Sequence, residues 1–196
     1  MKFNPPLRFM LILSLMLPIS SFAQSMKITD LFQALSLIKT EQKAFTETQQ
    51  DPFLNILQTR SGIMHYQSPS LLEQHYQTPI KGKIIFTPTQ ITIDFPNRTL
   101  EFSVEQFPEI SLFSQTILTL LNGDLEALRN NFTLTFQAKK NVTWQLDLTP
   151  TNQLKKHLQS INVTGIQSDI TSILLTKRSG EWRKIILKSP RPNTPL

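Results

Sequence analysis

The sequence predicts a mainly β protein with a few helices, built on one continuous antiparallel sheet of about ten strands, enough to curl strongly or close into a barrel. Three observations predict it. From residue 42 onward most apolar residues alternate with polar ones, the period of strands with one buried face. The connections between these runs are short, which suits antiparallel neighbours. An amphipathic helix precedes the sheet and two short helical stretches interrupt it.

The first residues stand apart from the fold. Lys2 and Arg8 give a positive start, Phe9 to Leu17 an apolar run, and Ser21-Phe22-Ala23 a small-x-small cleavage site. This is the layout of a secretory signal peptide over residues 1–23, its apolar run shorter than the ~20 residues of a membrane span. Cleavage after Ala23 is expected, and Gln24, where a lipidated chain would carry cysteine, predicts a mature N-terminus without a lipid anchor. Residues 24–188 then form one domain of ordinary size, and losing Lys2 and Arg8 takes the formal charge from +6 to +4. The absence of cysteine in an exported chain points to the bacterial periplasm.

The elements follow in order. Ile28, Leu31, Phe32, Leu35 and Ile38 make one helix face, capped by Thr29 or Asp30 and running to about Glu41. Phe45 opens the first strand. Gln58–Gln67 and Leu71–Gln77 form a hairpin around a Pro-centred turn, with Leu71 and Leu72 exposed at its tip. In "GKIIFTPTQITIDF" the residues Ile91, Ile93 and Phe95 share one face, Thr92 and Asp94 the other; in "RTLEFSV" Leu100 and Phe102 alternate with Glu101 and Ser103. Ile110, Phe113, Ile117, Leu120 and Leu121 then return to helical spacing, with Pro108 at the start and Asn122-Gly123 as a stop. A second short helix spans Asp124 to about Asn130. Strands resume at "FTLTFQAKK" and "VTWQLDLTP", residues 152–157 fit neither period, and three final strands end in a hairpin at Ser179-Gly180. Residues 189–196 carry three prolines and are expected to be disordered.

Catalytic chemistry is sparse. There is no thiol, no nucleophile-elbow or phosphate-loop motif, and five glycines leave little for Gly-rich cofactor loops. His65, His75 and His157 lack metal spacing and read as solvent-face histidines. The basic pairs Lys155-Lys156 and Lys177-Arg178 stand alone, without the interleaved aromatics of a nucleic-acid surface. Four Asn-x-Thr triplets, at Asn97, Asn131, Asn141 and Asn162, reflect composition rather than glycan sites. A non-enzyme without cofactor or metal is expected.

The ordered stretches "AFTETQ", "SGIMHYQSPSLLEQHYQTP", "KIIFTPTQITIDFPNRTLEFSV", "LDLTP" and "GEWRKIIL" resemble the outer-membrane lipoprotein carrier (LolA-like) family over about residues 28–188. The resemblance implies an incomplete β-barrel with a helical lid over an apolar cavity, and a periplasmic shuttle of acylated cargo from inner to outer membrane. Ser68 stands where that family keeps a basic latch residue, Glu73-Gln74-His75 where a Trp is usual, and Thr87-Pro88-Thr89-Gln90 where it turns on Asp-Gly. These departures favour a divergent member carrying other acyl-bearing or polyene-type lipids.

On that reading the cavity is lined by Met64, Tyr66, Ile91, Ile93, Phe95, Leu100, Phe102, Trp144 and Leu146. The lid is Ile110, Phe113, Ile117, Leu120 and Leu121, and Leu71 and Leu72 form the mouth. The expected partners are a lipid or lipoprotein cargo, an inner-membrane exporter and an outer-membrane acceptor, met by a monomer. The alternative is a sensor or adaptor of the same fold that grips a protein partner, with Leu71 and Leu72 as its docking tip.

Overall fold

The computed structural model describes residues 26–50, 56–106, 108–140 and 142–190, with side chains at all of them except 108–113, 152 and 153. The expected signal peptide and residues 191–196 of the tail lie outside the described residues. Eleven strands form one antiparallel sheet: β1 (Thr40–Gln50), β2 (Leu57–Gln67), β3 (Leu71–Thr78), β4 (Gly82–Phe86), β5 (Gln90–Phe95), β6 (Arg98–Ser103), β7 (Phe132–Ala138), β8 (Thr143–Pro150), β9 (Leu158–Ile166), β10 (Asp169–Lys177) and β11 (Trp182–Lys188). Their order is β6-β5-β4-β3-β2-β1-β11-β10-β9-β8-β7. Strands β6 and β7 end the sheet without pairing to each other, so it stays open. The single long crossover brings β11 back beside β1, making the first strand central.

That central place explains where the helix boundary departs from the expectation. Helix α1 spans Ile28–Ser36 and stops short of Glu41, because β1 begins at Thr40. "TEQKAFTETQQ" shows no clean apolar alternation, since its inward face carries Lys43 and Glu47 beside Phe45. Pairing on both sides, Thr40 through Gln50 with β2 and Ala44 through Gln49 with β11, satisfies its backbone groups and overrides local propensity. At the helix start the Asp30 carboxylate accepts from the Lys27 backbone N–H at 3.1 Å, while Leu31, Phe32 and Leu35 are buried.

Helices α2 (Pro108–Leu121) and α3 (Leu125–Asn131) sit where the change of period places them. Asp124 caps α3 by accepting from Ala127 N–H at 2.9 Å. Gly123 between them has φ +69°, and a Cβ there would lie 2.3 Å from the Phe32 carbonyl oxygen of α1. Only glycine serves both the turn and the close helix approach. Residues 152–156, which fit neither period, form a 3-10 turn. All three helices pack their apolar residues into one core cluster with the sheet, including Leu35, Ile117, Leu120, Leu128, Phe45, Phe86, Ile161 and Ile185.

Candidate functional site: an apolar sheet face with a helical cover

The pairing register puts all nine expected cavity residues on one face. Phe102, Ile91, Phe86, Leu72 and Tyr66 form a row of directly opposed residues from β6 to β2. Beside it run Leu100, Ile93, Ile84, Gln74 and Met64. Across the centre, Ile185, Ile173, Val163, Leu146 and Phe136 continue the same face to β7. Glu101 and Ser103 of β6 point the other way and are exposed.

These residues do not share one space. Trp144 and Leu146 are fully packed: the indole N–H donates to the Gln167 carbonyl at 2.7 Å, and the ring lies over Gly165, where a Cβ would approach it to 2.2 Å. Met64 and Tyr66 meet Ile117 and Leu121 of α2 around an enclosed void of about 20 Å³, room for roughly one water. Ile93 and Phe95, by contrast, line an open groove of about 640 Å³ together with Ile84, Tyr76, Pro79 and Ile80. Ile91 is buried, and Leu100 and Phe102 are half-buried on the edge strand.

Among the expected lid residues, Ile117, Leu120 and Leu121 face inward and are buried. Ile110 and Phe113 lie on α2, where side chains are outside the described residues. Leu71 and Leu72 are not an exposed tip. The turn is residues 68–70; Leu72 is 0 % exposed between Tyr66 and Phe86, and Leu71 is half-buried. Two adjacent strand residues face opposite sides, so one of any such pair must enter the core.

A clasp holds the end of α2. The Tyr66 hydroxyl donates to Asn122 Oδ1 at 2.7 Å, Asn122 Nδ2 donates to the Pro69 carbonyl at 2.7 Å, and the Ser68 hydroxyl donates to the same Oδ1 at 3.4 Å. Burial pushes the Tyr66 phenol above its ordinary value, the Ser68 hydrogen bond opposing and the Glu41 charge adding to the shift; it stays a protonated donor at neutral pH. Ser68 therefore joins a neutral clasp. Asn122 carries no sequence signal beyond ending a helix.

A second polar group sits within the apolar face. Glu47, 1 % exposed, accepts from Arg183 Nη2 at 2.5 Å and from the Tyr76 hydroxyl at 3.1 Å. Gln74, 0 % exposed, accepts on Oε1 from Tyr76 and Arg183, each at 3.3 Å. Burial, with Glu47 adding to it against the opposing guanidinium of Arg183, pushes the Tyr76 phenol up to about 12. On the outer face, Glu73 Oε2 lies 2.9 Å from His75 Nε2 and 3.6 Å from His65 Nδ1. Glu73 thus sits between His75, two residues on along β3, and His65, directly opposite it on β2. Among the described residues no cluster suits a metal ion.

Residues 36–196 match the model of the family described as outer membrane lipoprotein carrier protein LolA. No curated protein matches the chain. Among solved structures, a LolA superfamily protein from Nitrosomonas europaea is similar at 10 % identity and TM-score 0.41, covering 87 % of this chain and 96 % of that one. A DUF1329 family protein from Desulfovibrio piger is similar at 11 % identity and TM-score 0.49, covering 86 % and 93 %. A putative outer membrane lipoprotein-sorting protein domain from Vibrio parahaemolyticus is similar at 8 % identity and TM-score 0.42, covering 88 % and 93 %.

Proposed function

The chain belongs to the outer membrane lipoprotein carrier protein LolA family, and we propose that it is a periplasmic carrier for an acyl chain. It takes up the chain of a lipid or lipidated cargo on the apolar face of its sheet and moves it from the inner to the outer membrane. The observation that carries this reading is the open groove of about 640 Å³ over Ile84, Ile93 and Phe95, a volume within the roughly 300–1,000 Å³ of small-ligand sites.

Acyl chains ask little of a site beyond apolar area. Each methylene taken from water contributes about 0.8 kcal/mol, and no precise polar geometry is needed. The side chains of β4 and β5 supply that area, and the covered compartment beside Met64 and Tyr66 extends it when α2 lifts. The clasp at Asn122 sets how readily that happens: its three hydrogen bonds are neutral, so opening separates no charges. Delivery then follows from a competing acceptor that offers the chain a larger apolar surface. The signal-peptide layout of residues 1–23 supports an exported carrier, and the role requires an exporter at the inner membrane and an acceptor at the outer one. A monomer without cofactor suffices for it.

The test is organic extraction and mass spectrometry of protein purified from its native periplasm. A stoichiometric acyl-bearing lipid or lipopeptide is expected. Protein that is free of lipid and takes up none from added vesicles contradicts the reading.

A further inference from the structure

The open groove has unlike sides. Strands β4 and β5 give it Ile84, Ile93 and Phe95, whereas β2 gives it Arg60, the one charged residue among the described residues lining it. We propose that the cargo is an anionic lipid, whose carboxylate or phosphate head sits against Arg60 while its chain lies over Ile84, Ile93 and Phe95. The inference rests on the acyl-binding reading above.

The charges around Arg60 carry it. Arg60 Nη2 donates to Gln58 Oε1 at 3.1 Å, and its Nη1 lies 4.0 Å from Glu47 Oε1, beyond hydrogen-bond distance. Glu47 is already engaged by Arg183 and Tyr76. Two guanidinium groups thus face one buried carboxylate, and Arg183 holds it. Arg60, with its side chain 36 % exposed, stands at ion-pair distance from the same carboxylate, so the two cations leave one positive charge in excess beside the groove. Asp94 does not compensate it: that residue alternates with Ile93 and Phe95, faces the other side of β5, and bonds Thr99. What the polar end offers in excess is a cation. The complement is an oxyanion, which a guanidinium binds with two parallel N–H bonds. A neutral head leaves Arg60 unmatched.

The test is displacement of N-phenyl-1-naphthylamine, a neutral apolar fluorophore, from the full mature protein by three single-chain lipids: palmitate, 1-palmitoyl-lysophosphatidate and 1-monopalmitoylglycerol. At least one anionic lipid is expected to displace the probe at about tenfold lower concentration than the neutral one. Which of the two does so assigns a carboxylate or a phosphate head. Arg60→Met is expected to bring the ratio close to one and Arg60→Lys to keep part of it. In the unaltered protein, salt at about 0.5 M is expected to shrink the ratio, a readout independent of any folding defect. Equal displacement by all three lipids, or a preference that survives both salt and a folded Arg60→Met variant, overturns the inference and leaves acyl binding standing. Failure of all three to displace the probe contradicts the acyl-binding reading itself.

Discussion

The Tyr66 hydroxyl lies 2.7 Å from Asn122 Oδ1, joining the end of β2 to the residue that follows α2 across 56 positions of sequence. The amide of Asn122 returns a 2.7 Å bond to the Pro69 carbonyl in the β2–β3 turn. Together they tie the cover to the one hairpin that also supplies Met64 and Leu72 to the core. A neutral tie of this kind is strong enough to define a closed state and weak enough to leave it, because a typical intramolecular hydrogen bond contributes only about 0.5–1.5 kcal/mol net.

Tyr66→Phe and Asn122→Ala are therefore expected to loosen α2 more than the sheet. Global stability falls by about 1–2 kcal/mol in each, while amide exchange over Ser114–Leu121 accelerates well beyond that of β9 and β10. Hydrogen exchange read by mass spectrometry separates the two regions. Uniform acceleration everywhere would mean that the bonds are ordinary packing and not a tie on the cover.

Leu72 and Leu71 separate core from surface within one dipeptide. Leu72→Ala empties a site between Tyr66 and Phe86 and is expected to cost about 2–5 kcal/mol. Leu71→Ala, half-buried on the opposite side of the strand, is expected to cost about 1 kcal/mol or less. Urea unfolding of both variants checks this, and similar losses would contradict the placement.

Stability is expected to fall on the alkaline side. Tyr76 and Tyr66 are both raised in the folded protein, chiefly by burial. Burial opposes the charged form of Lys43, yet its bond to Asp169 and the charge of Glu41 leave it raised as well. A raised folded value means that the stabilising contribution is complete below the unfolded value, near 10 for these groups, and is lost as pH climbs toward the folded one. Thermal melts from pH 7 to about 11.5 are expected to stay flat with respect to these groups up to about pH 9.5 and to drop above it. Tyr76→Phe removes the longest part of that drop, which for Tyr76 extends to about 12.

Much of this architecture was legible in the sequence because alternation survives wherever a strand has one dry face. Ile91, Ile93, Phe95, Leu100 and Phe102 announced β5 and β6 and the face they share, and the return to helical spacing announced α2. Strand β1 was not fully legible: as a central strand it buries Glu47, whose partner Arg183 lies 136 positions away, so its burial has no local apolar signature. The site divided in the same manner. Alternation places Met64, Ile93 and Trp144 on one face but carries no information on whether a helix, a neighbour or open space lies above each. Asn122 and Arg60 were silent for a related reason, since their roles come from what the register and the helix ends bring against them.

The proposed acyl site is the sheet face over β4 and β5. Photolabelling the mature protein with a palmitate analogue bearing a diazirine near its methyl end, followed by peptide mapping, tests it most directly. The label is expected to concentrate on residues 82–95, at Ile84, Ile93 and Phe95, and excess unlabelled palmitate to suppress it. Label spread over the outer face, or undiminished by the competitor, would contradict it.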